Sequence, residues 1–354
     1  MKNTVLFLLV SVLTTCLFAQ SQTTGFTQRI GIIQNNINSR FYDTKTGLYI
    51  ETTDTAKNEH PHSFLWPLCA LIQAANEADA LDKKNTMQPV VRAINQYYSP
   101  RPPVPGYQAY VSAEKRDTRF YDDNQWVAIA YLDAYNRTHQ SLYLDKAKEI
   151  ERFMMTGFDT LSGGGLYWEE DHKTSKNTCS NGPAVLILLQ LYKITKQQPY
   201  LDTALLLYNW TNKRLQAPDG LYYDNIKIPS LELGKAKFTY NTGTMLQANV
   251  LLYDITKKKD YLTEAERIAK AAKEHFYKGN KLPGNYWFNA VLLRGAIELY
   301  KVDKNKAQLQ YFIDDAERVW KEERDDNNLL GTKPAKSLID QAAVLEMYAR
   351  LAEL

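Results

Sequence analysis

The stretch RFYDDNQW, Arg119 to Trp126, places two aspartates side by side ahead of an apolar run with helical spacing. A single aspartate at a helix start is ordinary, because free amides and the helix dipole favour negative charge there. A second adjacent carboxylate gains less and is repelled by the first. In a partly buried site that repulsion raises one pKa while the partner stays ionised. One protonated acid beside one carboxylate is the equipment needed to cleave a glycosidic bond, and a carboxyl separation of about 5 Å, within reach of neighbouring residues, suits a retaining reaction. Asp122 and Asp123 are therefore either a helix cap or a catalytic pair, and the elements around them decide the weight of each reading.

Those elements repeat. AYNRTHQSLYLDKA, LYKITKQQPYLDTA and LYDITKKKDYLTEA align Tyr135, Tyr192 and Tyr253, then Tyr143, Tyr200 and Tyr261, then Ala147, Ala204 and Ala265; a weaker copy runs from Leu299 to Ala316. The spacing holds two helices and two connections per unit. The first helix of a unit, such as AVLILLQLY, is apolar all round and belongs inside. The second, such as YLTEAERIAKAAKEHF, carries one apolar stripe of Leu262, Ala265, Ala269, Ala272 and Phe276 and belongs outside. Inner helices are expected to begin near Phe64, Asn124, Pro183, Thr242, Trp287 and Leu338, and outer helices near Thr24, Asn85, Tyr143, Tyr200, Tyr261 and Ala307. Twelve alternating helices make an all-α (α/α)6 barrel, a toroid of six helical hairpins. No segment has the composition of an interdomain linker, so one domain is expected over 22–354.

In such a ring the inner helices run the same way and their N-termini share one face. The entries HPHSFLW, RFYDDNQW, NTCSNGPA, FTYNTG, GNYWFN and SLIDQ converge there, and glycine-aromatic turns precede several of them, at Gly47, Gly163 and Gly220. Capping alone explains any one entry, and Pro183 near a helix start is likewise ordinary; six polar-aromatic entries on one face point to a site. Tyrosine is abundant, 24 against 12 Phe and 6 Trp, and its amphipathic ring suits a sugar-stacking surface as well as helix packing. Trp126, Tyr167, Trp168, Tyr240 and Trp287 are the candidates for stacking, with Asn241 bonding hydroxyls. For Trp126 and Trp287, packing inside the ring is an equal reading.

The formal net charge is +3 with no long run of one sign, so nothing points to nucleic acid or an anionic membrane as a partner. No cluster has metal-ligand spacing and GGG at Gly163 leads into no helix, so neither metal nor cofactor is expected. Residues 1–21 read as a secretory signal peptide, giving a secreted or periplasmic, monomeric protein with no lasting membrane insertion. Cys16 admits lipidation, but Thr15, Leu17 and Phe18 fit it poorly. Cys69 and Cys179 are read as free thiols. Among other barrels of this shape, an epimerase needs paired histidines at inner entries; His60 and His62 lack a partner at a later one.

Taken together, YDDNQW at Tyr121, GGGLYW at Gly163, CSNGPA at Cys179 and TYNTG at Thr239 resemble family 76 of the glycoside hydrolases, the endo-α-1,6-mannanases, over essentially the whole chain after the signal. The resemblance implies the (α/α)6 fold, an α-mannan substrate and a retaining mechanism, with Asp122 as nucleophile and Asp123 as acid/base. The turn holding Asp224 is similar, more loosely, to a sugar-contacting segment. The family also includes fungal wall proteins thought to act as transglycosidases, and a mannan-binding protein without turnover is the alternative from another class.

Overall fold

The computed structural model describes residues 25–354 except 83; the expected signal peptide over 1–21 and Cys16 lie outside the described residues. Inner helices are α2 (Leu65–Asp82), α4 (Tyr121–Thr138), α6 (Thr178–Thr195), α8 (Thr239–Thr256), α10 (Tyr286–Asp303) and α12 (Leu338–Ala352). Outer helices are α1 (25–40), α3 (Met87–Asn95), α5 (Ser141–Met155), α7 (Gln198–Leu215), α9 (Lys259–Phe276) and α11 (Ala307–Glu322). Each inner helix packs on the next, and α12 returns to α2, which closes the ring. The first helix, α1, completes the sixth hairpin with the last: Phe26 stacks on Tyr348 and Arg29 pairs with Glu317. The fold is an (α/α)6 barrel.

Burial follows the two kinds of helix. Every residue of α6 from Thr178 to Leu191 is buried, whereas α9 buries only Ala265, Ile268, Ala272 and Phe276. Ile268 joins the expected stripe, and Leu262 and Ala269 lie partly open at its edge. Between α8 and α10 the backbones meet directly: a Cβ on Gly243 would sit 2.6 Å from Leu292 Cα, and one on Gly295 2.7 Å from the Gly243 carbonyl.

The tyrosine repeat is a hairpin device. Tyr135, Tyr192, Tyr253 and Tyr300 each accept, at the backbone carbonyl, the N–H of a left-handed residue four positions on: His139, Lys196, Lys257 and Lys304. None of the four is glycine. The three lysine ammonium groups lie over the rings of the same tyrosines, 5.7–6.0 Å from their centroids, so cation–π attraction offsets part of the strain of a positive φ.

Helices α4, α6, α8 and, by one residue, α10 begin earlier than expected, while α2 and α12 begin within a residue of the expected start. Asp122 and Asp123 are the second and third residues of α4, after an N-cap at Phe120 that makes no side-chain cap. Pro183 is the sixth residue of α6, well inside it, where it removes the amide that would bond the Cys179 carbonyl. Short strands absent from the periodic pattern fill the connections: hairpins β1–β2 (Tyr42–Asp43, Leu48–Tyr49) and β3–β4 (Tyr98–Ser99, Gly106–Tyr107), and a three-stranded antiparallel sheet of β5 (Ser175–Asn177), β6 (Tyr223–Lys227) and β7 (Leu233–Lys237). Of these strands, β5 and β6 carry Ser175, Asn177, Asp224 and Asn225 into the lining of the site.

Candidate active site

A buried amide gives several inner helices a common register. In the fourth position of α4, Asn124 accepts from the Tyr107 N–H and donates to the Tyr107 carbonyl. Asn181 in α6 does the same with Leu166, and Gln341 in α12 with Leu330. In α10 the fourth residue, Asn289, bonds the Pro283 carbonyl. Each amide clasps the preceding loop as a strand would, which satisfies buried backbone groups. Much of the polarity of the helix entries is this clasp.

With that register set, the second residues of α2, α4, α6, α8 and α10 are Trp66, Asp122, Cys179, Tyr240 and Trp287, and all five line one cavity of about 670 Å³. Asp123 and Phe288, third in their helices, line it too, as do Trp168, Asp224 and Phe238 from the connections. The sequence reading missed Trp66, Cys179, Phe238 and Phe288. Alignment of the helices on their clasping amides finds Cys179, two residues before Asn181; α2 carries Leu68 in fourth position and gives no such mark for Trp66.

Among the expected residues, Asp122, Asp123, Trp126, Trp168, Asp224, Tyr240 and Trp287 line the cavity. Trp126 and Trp287 are almost fully buried and meet edge to face at 5.2 Å, with Trp66 edge-on to Trp287 at 5.7 Å. They make an aromatic floor. Tyr240 stacks on Phe288 at 3.9 Å and 18°, forming a wall beside Phe238.

Two expected contacts are displaced. Tyr167 is not part of the lining: its hydroxyl donates to Asp159 and its ring lies under the buried Lys176 ammonium, 4.7 Å away, which also binds the Leu161 and Gly164 carbonyls. Alternation along an extended segment turns Tyr167 inward and Trp168 outward. Asn241 is also behind the lining, where its amide donates to Asp224 at 3.3 Å; Asn225 donates to the other oxygen of Asp224 at 2.8 Å. Asn241 thus aims Asp224. His60 packs against Tyr110 and His62 pairs with Glu114; neither histidine lines the cavity.

The two aspartates have unequal surroundings. Asp122 accepts the Trp168 indole N–H at 3.1 Å, the Asp123 backbone N–H at 3.1 Å and the Cys179 thiol. Burial pushes its carboxyl up to about 6, and these donors limit the rise. Burial, then the charge of Asp122, drives Asp123 well above the usual carboxylate range, with no donor to its carboxyl among the described residues to counter the rise. Both side chains keep a partly exposed face although their groups are deeply enclosed. Of the amides opening α4, Asp122 takes those of Asp123 and of itself, whereas the Asp123 carboxyl takes none among the described residues, so capping accounts for one member of the pair and not the other. The arrangement leaves Asp122 the more acidic of the two and favours the shared proton on Asp123.

A helical ring with an aromatic-walled cavity and a split carboxyl pair at the helix N-termini belongs to the carbohydrate-active (α/α)6 enzymes. Residues 28–351 match the model of glycosyl hydrolase family 76, and the chain belongs to that family. A solved family 76 mannosidase from Bacteroides thetaiotaomicron VPI-5482 is 28% identical, superposes with a TM-score of 0.84, and matches over 93% of this chain and 98% of its own. A GH76 α-mannanase of Bacteroides thetaiotaomicron, 26% identical, superposes with a TM-score of 0.86 over 92% of this chain and 95% of its own. The mannan endo-1,6-α-mannosidase Dcw1 of Saccharomyces cerevisiae is 28% identical over 188 residues, which span 48% of this chain and 41% of that protein.

Proposed function

We propose that the chain is an exported endo-α-1,6-mannanase that retains anomeric configuration. The observation that carries the reading is the asymmetry of the aspartate pair: donors surround Asp122, and among the described residues none reaches the Asp123 carboxyl. Asp122 attacks the anomeric carbon while Asp123 gives its proton to the departing oxygen. A glycosyl-enzyme forms on Asp122, and Asp123, now a base, takes a proton from the water that hydrolyses it. The floor of Trp66, Trp126 and Trp287 and the wall of Tyr240 and Phe288 offer apolar faces to sugar rings, and Asp224 accepts from hydroxyls. Membership of the family and the activities named for its relatives support an α-1,6-mannan substrate. Residues 1–21 as a removable leader give export, and among the described residues no helix is long and apolar enough to cross a membrane.

Incubation with unbranched α-1,6-mannan and with intact yeast mannan, with products sized over time, tests this. Shorter chains should appear early, and the first-formed anomer, read by NMR, should match the substrate. Immediate release of mannose alone overturns endo action, an inverted first product overturns retention, and products longer than the substrate identify a transglycosidase.

A further inference from the structure

The segments that bring Trp168 and Asp122 together are tied at a point behind them. Arg119, three residues before Asp122, is 1% exposed, and its guanidinium grips the Glu170 carboxylate with two bonds, Nε at 2.6 Å and Nη2 at 2.5 Å. Its remaining nitrogen donates to the carbonyls of Arg101 at 3.1 Å and Val104 at 2.9 Å, and the Phe153 ring lies 4.7 Å beneath. The backbones run together at the same place: the Glu170 N–H donates to the Arg119 carbonyl at 3.0 Å, and the Tyr121 N–H to the Trp168 carbonyl at 2.9 Å. Trp168 itself is 38% exposed and rests its ring on Phe120. Packing alone does not hold so open a side chain on one oxygen of Asp122; the ladder behind it does.

We propose that Arg119 and Glu170 are positioning residues: their buried fork fixes the register in which the Trp168 indole meets Asp122. Neither touches the reacting atoms. A one-residue slip of the 168–170 segment would turn Trp168 to the other face, and a planar two-bond fork with fixed geometry resists that slip better than a single contact. The carboxylate of Asp122 then loses a donor, and its protonated form gains. This inference rests on the mannanase reading only for its kinetic readout.

The test follows the Trp168 indole N–H resonance, identified by its absence in Trp168→Phe, through a pH titration of the substrate-free full-length protein, beside the pH profile of kcat/KM on α-1,6-mannan. In Glu170→Gln and Arg119→Lys the indole midpoint and the acidic limb should both move up, by about half to one pH unit. The double variant Trp168→Phe, Glu170→Gln should have the limb of Trp168→Phe alone, because both changes remove one interaction. Glu170→Asp, which keeps the charge, serves if the other variants do not fold, and its shorter reach should shift both readouts the same way. Midpoint and limb unmoved in folded variants that only melt earlier would overturn the proposal and leave a structural ion pair. An indole that titrates and shifts in a protein inert on mannan would sustain the clamp while the mannanase reading falls.

Discussion

Glu346 and the Asp122–Asp123 pair, all on inner helices, are treated in opposite ways, while Asp133, which shares the arginines of Glu346, is pushed up to about 7 by burial and then by the Glu77 charge. In the half of the ring nearer the helix C-termini, Glu346 is fully buried between Arg294 Nε at 2.5 Å and Arg350 Nε at 2.8 Å, and Arg350 reaches Glu77 at 3.2 Å. Burial alone would raise Glu346, but the two arginines outweigh it and hold the carboxyl below its ordinary value. At the N-terminal mouth, Asp122 and Asp123 are enclosed with no cation in contact among the described residues, and both are raised. The same scaffold thus neutralises charge by pairing in one place and by proton retention in the other. Pairing gives a permanently ionised group that knits helices together. Retention gives a proton that can be handed over, at a cost in stability.

The sharpest way to break the comparison is to remove the mouth carboxyls one at a time. Asp122→Ala should lose turnover on every substrate. Asp123→Ala should lose at least about a hundredfold on mannan, the low end of what a positioned acid/base contributes. On a mannoside with a weakly basic leaving group it should still complete its first step, and azide should restore turnover. Rescue of Asp122→Ala by azide with inverted product would exchange the roles. Rates within tenfold of wild type for both variants would reduce the pair to structure.

Removing a paired carboxylate should do the reverse. Glu346→Ala leaves the Arg294 and Arg350 charges buried without their partner, and breaking such a pair costs about 3–5 kcal/mol. Denaturant unfolding should record that loss while kcat of the folded fraction stays within about twofold. A large fall in kcat with unchanged stability would mean that this region serves the reaction.

A third prediction concerns the stability cost at the mouth. A carboxyl raised in the folded protein is protonated there when its unfolded counterpart has already ionised. Its favourable contribution is therefore complete below the unfolded value near 4 and is lost as pH rises through the folded one, about 6 for Asp122. Asp122→Asn, Asp123→Asn should match wild type in unfolding free energy near pH 4 and exceed it by roughly 1–3 kcal/mol at pH 7. A difference that stays flat with pH would show that the pair is not strained by its charge.

How far this contrast could be read in advance varied with the periodicity behind it. The ring followed from helices whose apolar pattern and tyrosine spacing repeat in register. The aspartate pair followed from chemistry that two adjacent charges make conspicuous. Tyr167 was misplaced because the facing of a side chain in an irregular connection depends on the strand it meets, and Asn241 because α8 begins at Thr239 and not near Thr242, which puts Asn241 inside the helix. Cys179 was legible in principle, but only once the clasping amides were recognised as a register mark, and Trp66, on a helix with Leu68 in that position, was not. The Arg294–Glu346 pairing, 52 residues apart on separate helices, leaves no local trace.

The smallest expected effect tests how the mouth keeps Asp122 ionised without a cation. Cys179 lends a thiol proton to it, and burial, with the charge of Asp122 next, holds that thiol well above its usual pKa, so it stays a donor at all working pH values. A thiol is a weak donor, and two nitrogen donors remain when it is gone. Cys179→Ala should therefore move the acidic limb of kcat/KM up by less than about half a pH unit, with kcat at pH 8 nearly unchanged, because Asp122 is ionised there in either protein. Cys179→Ser offers a stronger donor and should bring the limb back toward wild type. A limb that moves down in Cys179→Ala would mean that the sulfur accepts from a protonated Asp122, and the assignment of the shared proton within the pair would have to be reversed.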